Sequence, residues 1–311
     1  MSAIRICVMT SGIPLDLLSH SVKSPFELFT TPCGAGEIVW RRFGGQSHRP
    51  PLVMLHGGSG SWTHFIRNID ALVSEGFVLW MPDLPGFGDS APSPLGPDAD
   101  AMVCPLLEGL DSLLAGQPCD LLGFSFGGLT AALMMVARPT LARQLILVGA
   151  PAMGVVPQRQ FELKGWRHLP DPLEQAEVHR HNLSVLMLHD DHLIGRADGP
   201  QTLAMQVHVA NVVRDRLPRR RLAHTALLAE SLPQIQCPVS VIYGEFDALY
   251  KSYIHQLEAA YARLTPDFRG MTLVENAGHW VQFEQPDAFH EAVMTALNSN
   301  ALNLTTLKDA P

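Results

Sequence analysis

A serine stands between two glycines in "GFSFGG", residues 123–128, directly after the apolar run "CDLL" and directly before the helix formers of "LTAALMMVA". A strand that turns this abruptly into a helix leaves no space for side chains two residues before and two after the turn residue. Gly123 and Gly127 meet that need. Ser125 itself is forced into a sparsely populated backbone conformation, a strain that chains keep where a side chain has chemistry to perform. A serine hydroxyl is a weak nucleophile until a base takes its proton and an acid holds that base. Among 14 histidines, position selects His279, in "VENAGHWVQFEQP", beyond a glycine and just after the last apolar strand pattern. Asp247, in "IYGEFDALY", follows the strand pattern before it. Each of the three lies past the C-terminal end of a strand, so a parallel sheet would bring them to one edge, in the chain order serine, aspartate, histidine. The glycine-rich "MLHGGSGSW" follows a further strand and could aim backbone N–H groups at a developing oxyanion. The expected pair is the amides of Gly58 and Phe126, with Gly57, Ser59, Phe124 and Trp280 expected against the substrate. The alternative is a glycine-rich turn holding an ordinary serine, since G-x-S-x-G alone recurs by chance.

The elements that must position these residues are legible as an alternation. Strand patterns fall at 37–44, 51–57, 77–84, 120–125, 144–150, 239–245 and 271–277, and helical patterns at 62–75, 99–115, 127–138, 251–262 and 286–299. Near-continuous apolar strands imply burial on both faces, hence an α/β chain with a mainly parallel central sheet flanked by helices. "FELFTT" is expected to pair with "EIVWRRFG" as a hairpin, while the first 36 residues otherwise fit the alternation poorly. Between Pro151 and Pro233 no buried strand is apparent, and "PLEQAEVHRHNLSVLML" and "QTLAMQVHVANVVRDRL" read as helices. The expected organisation is therefore a core of residues 1–151 and 233–311 with a helical cap, 152–232, over the carboxyl edge of the sheet, where open α/β sheets bind ligands.

With these motifs in place the chain resembles the α/β-hydrolases. "HGGSGSW" is similar to that family's oxyanion loop, "DLPGFGDS" to its turn after the next strand, "GFSFGG" to its nucleophile elbow, "GEFD" to its acid loop and "AGHW" to its histidine loop. The resemblance covers roughly residues 37–151 and 233–299. It implies a Ser125–Asp247–His279 triad working through an acyl-enzyme, without cofactor or metal. Within the family the chain looks like the branch that holds simple esterases and the meta-cleavage-product hydrolases, which break carbon–carbon bonds of ring-fission dienoates. Those C–C hydrolases commonly carry asparagine before the nucleophile, where Phe124 stands here. Their cap arginine for the substrate carboxylate also finds no counterpart in "QTLAMQVHVANVV". A carboxylic-ester hydrolase on small organic esters is therefore the preferred expectation and a C–C hydrolase the alternative. A non-catalytic small-molecule receptor on the same fold is the reading from a different class.

Composition narrows the partners. The chain has 311 residues, 47% hydrophobic and 17% charged, with a formal net charge of −8. Such acidity disfavours nucleic acid, and no apolar run approaches the roughly 20 residues that span a bilayer. The N-terminus shows no signal-peptide pattern. Cysteines 7, 33, 104, 119 and 237 are odd in number and scattered, which reads as reduced thiols in a cytoplasm. The expected partner is a small-molecule substrate, with a homodimer left open. His179, His181, His189 and His192 lack the two-turn spacing of a zinc helix, so they read as a polar cap-helix face or a pocket rim. Arg214, Arg216, Arg219, Arg220 and Arg221 read either as a cap patch attracting an anionic substrate or, the preferred expectation, as a solvated loop or domain-contact patch. Asp83 and Ser90 are expected to stabilise their turn, and Trp280 to face the pocket or pack beneath it.

Overall fold

The computed structural model describes residues 21–157, 161–196, 199, 201–217 and 220–298. The readings that fall on residues 1–20, Cys7 and Arg219 lie outside them. Eight strands form one sheet: β1 (Phe26–Cys33), β2 (Gly36–Phe43), β3 (Leu52–Leu55), β4 (Leu79–Pro82), β5 (Cys119–Phe124), β6 (Ala142–Val148), β7 (Val239–Gly244) and β8 (Phe268–Val274), in the order β1-β2-β4-β3-β5-β6-β7-β8. β1 and β2 form the expected hairpin, and β2 runs antiparallel to β4. All other pairs are parallel. β3, β4 and β5 are buried at every residue, which is what a sheet covered on both faces requires.

The longer helices are α1 (Ile69–Ser74), α2 (Val103–Leu114), α3 (Phe126–Ala137), α4 (Pro172–Asn182), α5 (Leu203–Val212), α6 (Leu257–Leu264) and α7 (Pro286–Asn298). Two apolar clusters sandwich the sheet. One is built around Trp40, Leu121, Leu129 and Tyr261, the other around Phe65, Leu122, Trp280 and Phe289. The single helix expected over 62–75 is instead a 3-10 turn, Trp62–Phe65, followed by α1. The break lies at Asn68, whose side-chain amide donates to the Gln282 carbonyl at 2.9 Å. That tertiary bond outweighs local helical propensity. β8 starts three residues before the expected strand, because "FRG" extends the edge without an apolar signal. Between β6 and β7 the described residues form only helices and turns, and α4 runs into a π turn at Leu183–Met187. Among the described residues, Cys33, Cys104, Cys119 and Cys237 are free thiols. No helix among them is long and apolar enough to cross a membrane.

Candidate active site

Ser125 occupies the turn between β5 and α3 with φ 50° and ψ −119°. The two flanking glycines are there because backbone lies against them. A Cβ on Gly123 would sit 2.4 Å from the Gly127 carbonyl oxygen, and one on Gly127 would sit 2.4 Å from that of Leu55. The turn leaves the serine partly exposed at the carboxyl edge of the sheet. His279 Nε2 lies 2.8 Å from Ser125 Oγ, and His279 Nδ1 lies 2.9 Å from Asp247 Oδ2. A carboxylate can only accept, so Nδ1 carries the proton and Nε2 is left to accept from the serine hydroxyl. The other carboxylate oxygen of Asp247 accepts the Leu249 N–H at 2.9 Å, fixing its rotamer. Asp247 and His279 are both buried. The structure thus brings the three residues singled out for catalysis into one hydrogen-bonded chain.

Phe126 is the first residue of α3, and its N–H has no intrahelical acceptor. Gly58 adjoins it, since a Cβ on Gly58 would stand 3.6 Å from the Phe126 Cβ. The loop that carries Gly58 is held by two buried histidines. His56 Nδ1 donates to the Gly57 carbonyl at 2.7 Å and its Nε2 accepts the Leu84 N–H at 2.8 Å. His64 Nδ1 accepts the Gly57 N–H at 3.2 Å. Burial pushes His56 down to about 4 and His64 well below the usual histidine range, so both act as neutral rings.

Placement corrects several expectations about substrate contact. Phe124 is fully buried, with its ring centroid 5.1 Å from that of His279. It is a floor under the histidine and offers substrate no surface. Trp280 is also fully buried, stacked on Phe283 at 4.2 Å and donating to the His64 carbonyl. Gly57 is buried with both backbone groups engaged. Apolar patterning marks such residues as inward-facing without saying whether a pocket or the core lies inward. Ser59 remains partly exposed. Asp83 and Ser90 tie their turn: Asp83 accepts the Trp62 and Asp89 N–H groups, and Ser90 Oγ donates to the Asp83 carbonyl.

The arginine run divides its work. Arg214 pairs with Asp89, which also pairs with the buried Arg41 at 2.5 Å. Arg216 donates to the carbonyls of Phe87, Gly88 and Ser90. These two dock the insert onto the 83–90 turn. Arg220 points elsewhere, with Nη1 2.8 Å from Asp215 and Nη2 2.9 Å from Ser59 Oγ. The histidines of "HRHNLSVLMLHDDH" form no metal site, and no cluster able to hold a metal occurs among the described residues.

Two residues escaped the sequence reading. Gly149, at the end of β6 with φ 53°, passes so close to the triad that a Cβ there would lie 3.1 Å from the His279 ring and 3.2 Å from Asp247 Oδ2. Its position just past an apolar strand was the available signal. Glu284 is buried and accepts the N–H groups of Gly278, His189 and Asp190 at 2.5, 2.6 and 2.8 Å. It ties the histidine loop to the insert, a pairing that no periodicity reveals. A cavity of about 480 Å³ lies between the residues after β6 and the acid loop, with Met153, Phe161, His224, Thr225, Leu249 and Tyr250 in its wall; Ser125 and His279 do not line it.

The Alpha/beta hydrolase family model matches residues 52–292, and the chain belongs to that family. A Pseudomonas 2-hydroxy-6-oxononadienedioate/2-hydroxy-6-oxononatrienedioate hydrolase is 26% identical over 258 residues, covering 79% of this chain and 87% of that one. A Burkholderia cepacia 2-hydroxy-6-oxo-6-phenylhexa-2,4-dienoate hydrolase is 26% identical over 292 residues, covering 88% and 92%. Among solved structures, carboxylesterase CesB of Bacillus subtilis superposes with a TM-score of 0.70 at 22% identity, covering 91% of this chain and 96% of that one. At that identity the likeness speaks for the fold alone.

Proposed function

We propose that this protein is a serine hydrolase that cleaves small, apolar carboxylic esters by two-step acyl transfer. The observation that carries the reading is the unbroken chain Ser125 Oγ–His279–Asp247, with links of 2.8 and 2.9 Å, at the carboxyl edge of the sheet. His279 takes the serine proton as Oγ attacks the ester carbonyl, and Asp247 holds the imidazole and stabilises its charge. The amides of Gly58 and Phe126 receive the oxyanion. His279 then returns the proton to the departing alcohol, and water, activated by the same imidazole, releases the acid. Every step uses groups of the chain, so the reaction calls for no cofactor. Residues 152–232 act as a cap over the carboxyl edge of the sheet.

Ester cleavage is preferred over C–C cleavage because the residue before the nucleophile, Phe124, is a buried ring without a hydrogen bond to offer a dienol or ketone oxygen. The dienoate reading has its own support in the names of the curated relatives and in a cap cation, Arg220, next to Gly58. The test is labelling with a fluorophosphonate, followed by kcat/KM for short p-nitrophenyl esters and for a ring-fission dienoate. The expected result is labelling that Ser125→Ala abolishes, with ester turnover falling on the order of 10⁶-fold as in the subtilisin example of a lost nucleophile. Faster dienoate cleavage than ester cleavage promotes the second reading. Absence of labelling leaves a receptor on a hydrolase fold.

A further inference from the structure

Ser59 is a non-glycine residue at φ 50°, in the left-handed region. Such a backbone persists only where surrounding contacts over-determine it. Here the contacts come from the far side of the chain. Ser59 Oγ donates to Asp215 Oδ2 at 2.5 Å, across 156 residues, and accepts from Arg220 Nη2 at 2.9 Å. Arg220 Nη1 closes the ring onto the same Asp215 oxygen at 2.8 Å. Asp215 is itself fixed, because its Oδ1 accepts the Leu217 N–H at 2.9 Å. The guanidinium lies over the Phe87 ring at 5.2 Å and the Phe126 ring at 5.8 Å, which holds its plane in place. Its Nε would come within 3.4 Å of a Cβ on Gly58. The ring of three side chains therefore closes directly on the residue before Ser59 and against the residue after Ser125.

Docking of the insert does not require this ring, since Arg214 and Arg216 already attach it to the 83–90 turn. We propose that Asp215 and Arg220 are positioning residues for the oxyanion loop: they lock Ser59 in its left-handed conformation and so keep the Gly58 amide aimed at the reacting carbonyl. The inference rests on the serine-hydrolase reading above. Without the ring, Ser59 relaxes toward negative φ and swings the Gly58–Ser59 peptide; the Gly58 Cα shifts with it, and the Gly57–Gly58 peptide, which carries the Gly58 N–H, is then held only at its carbonyl end by His56. The amide then no longer meets the oxyanion, whereas ground-state binding of an apolar ester is untouched.

The experiment uses the full chain and p-nitrophenyl acetate. Asp215→Ala should lower kcat on the order of 10²-fold, the typical cost of one oxyanion donor, with KM changed less than about threefold. Ser59→Gly placed on Asp215→Ala should recover at least tenfold of that loss, because glycine takes φ near +50° without strain. Arg214→Ala, which removes the pairing of the insert with Asp89 and Asp83, should leave kcat within about threefold. If Asp215→Ala does not fold, Asp215→Asn is read in the same way. Wild-type kcat in the Asp215 variant overturns the proposal. So does a loss lying only in KM, a loss that Ser59→Gly does not recover, or an equal loss in Arg214→Ala. Failure of the underlying reading looks different: wild-type protein itself would then neither hydrolyse the ester nor take up a fluorophosphonate.

Discussion

Gly244→Ala tests how closely the sheet must approach the catalytic loops. Gly244 ends β7, three residues before Asp247, and the histidine loop crosses directly over it. A Cβ there would stand 2.1 Å from the Gly278 carbonyl oxygen and 2.4 Å from that of Ala277. Carbon–oxygen contacts ordinarily stop at about 3.3 Å, so the loop must lift by about 1 Å. Backbone on both sides rules out relief by a rotamer change. His279 follows Gly278, and its bonds to Asp247 and Ser125 are 2.9 and 2.8 Å. A lift of that size takes both beyond the roughly 3.5 Å at which a hydrogen bond is effectively lost. Misplacement by about 1 Å costs on the order of 10²-fold in rate, so kcat for p-nitrophenyl acetate should fall by at least that factor. Overpacking should cost about 1–3 kcal/mol, at about 2–4 °C of Tm for each kcal/mol, which leaves the chain folded. Gly45→Ala is the control, because a Cβ at Gly45 meets nothing within 4 Å. Steady-state kinetics and thermal unfolding of both variants decide the matter. A Gly244→Ala protein with wild-type kcat would show that the loop yields without moving His279 and would refute the reasoning.

Asp247→Asn should lower kcat on the order of 10⁴-fold, as in the trypsin case, by favouring the wrong imidazole tautomer. Glu245→Gln should leave kcat within a few-fold, since Glu245 accepts the Asn276 N–H at 3.2 Å and does not touch His279; the opposite ranking in ester assays would reassign the acid. Stability should fall with acid, with His56 as one source: it is fully buried and pushed by burial from 6.5 to about 4, and burial lowers His64 and His208 in the same direction. As pH drops, the unfolded chain takes up a proton near 6.5 while the folded chain refuses it until about 4, so stability is intact above that window and lost through it. At about 1.4 kcal/mol for each pH step, the loss reaches about 3 kcal/mol by pH 4. Denaturant unfolding from pH 7 to 4.5 checks this: wild type should slope steeply and His56→Gln, less stable at pH 7, should slope less. Parallel slopes would exclude His56 as a source.

The residues legible in the sequence are those whose environment is set by their own neighbours. The elbow announces itself because a serine flanked by glycines between an apolar run and a helix former has few other structures open to it. Asp247 and His279 were found because each sits just past a strand, and parallel strands deliver their ends to one edge. Contacts between segments far apart in the chain leave no such trace. Nothing in "EQP" says that Glu284 will gather three N–H groups from two loops, and nothing in "RDRLPRRR" says which arginine will face Ser59. Phe124 and Trp280 show the related difficulty: an apolar residue beside a catalytic one faces inward in either case, and only packing against Phe65, His64 and Phe283 separates core from pocket.

The insert is bonded to the loops that carry Ser59 and His279. On one side Asp215 and Arg220 hold Ser59; on the other, Glu284 joins the Gly278 N–H to those of His189 and Asp190, and the Trp280 N–H donates to the Met187 carbonyl at 2.7 Å. This bears on the choice between ester and dienoate. Arg220 is the cap cation placed against Gly58, yet its charge is already met by Asp215 at 2.8 Å. A substrate carboxylate would have to displace Asp215, and in doing so it would release Ser59 and, on the proposal above, the Gly58 amide. Binding of the anion and stabilisation of the oxyanion would then oppose each other. On the proposed function, an uncharged ester makes no such demand.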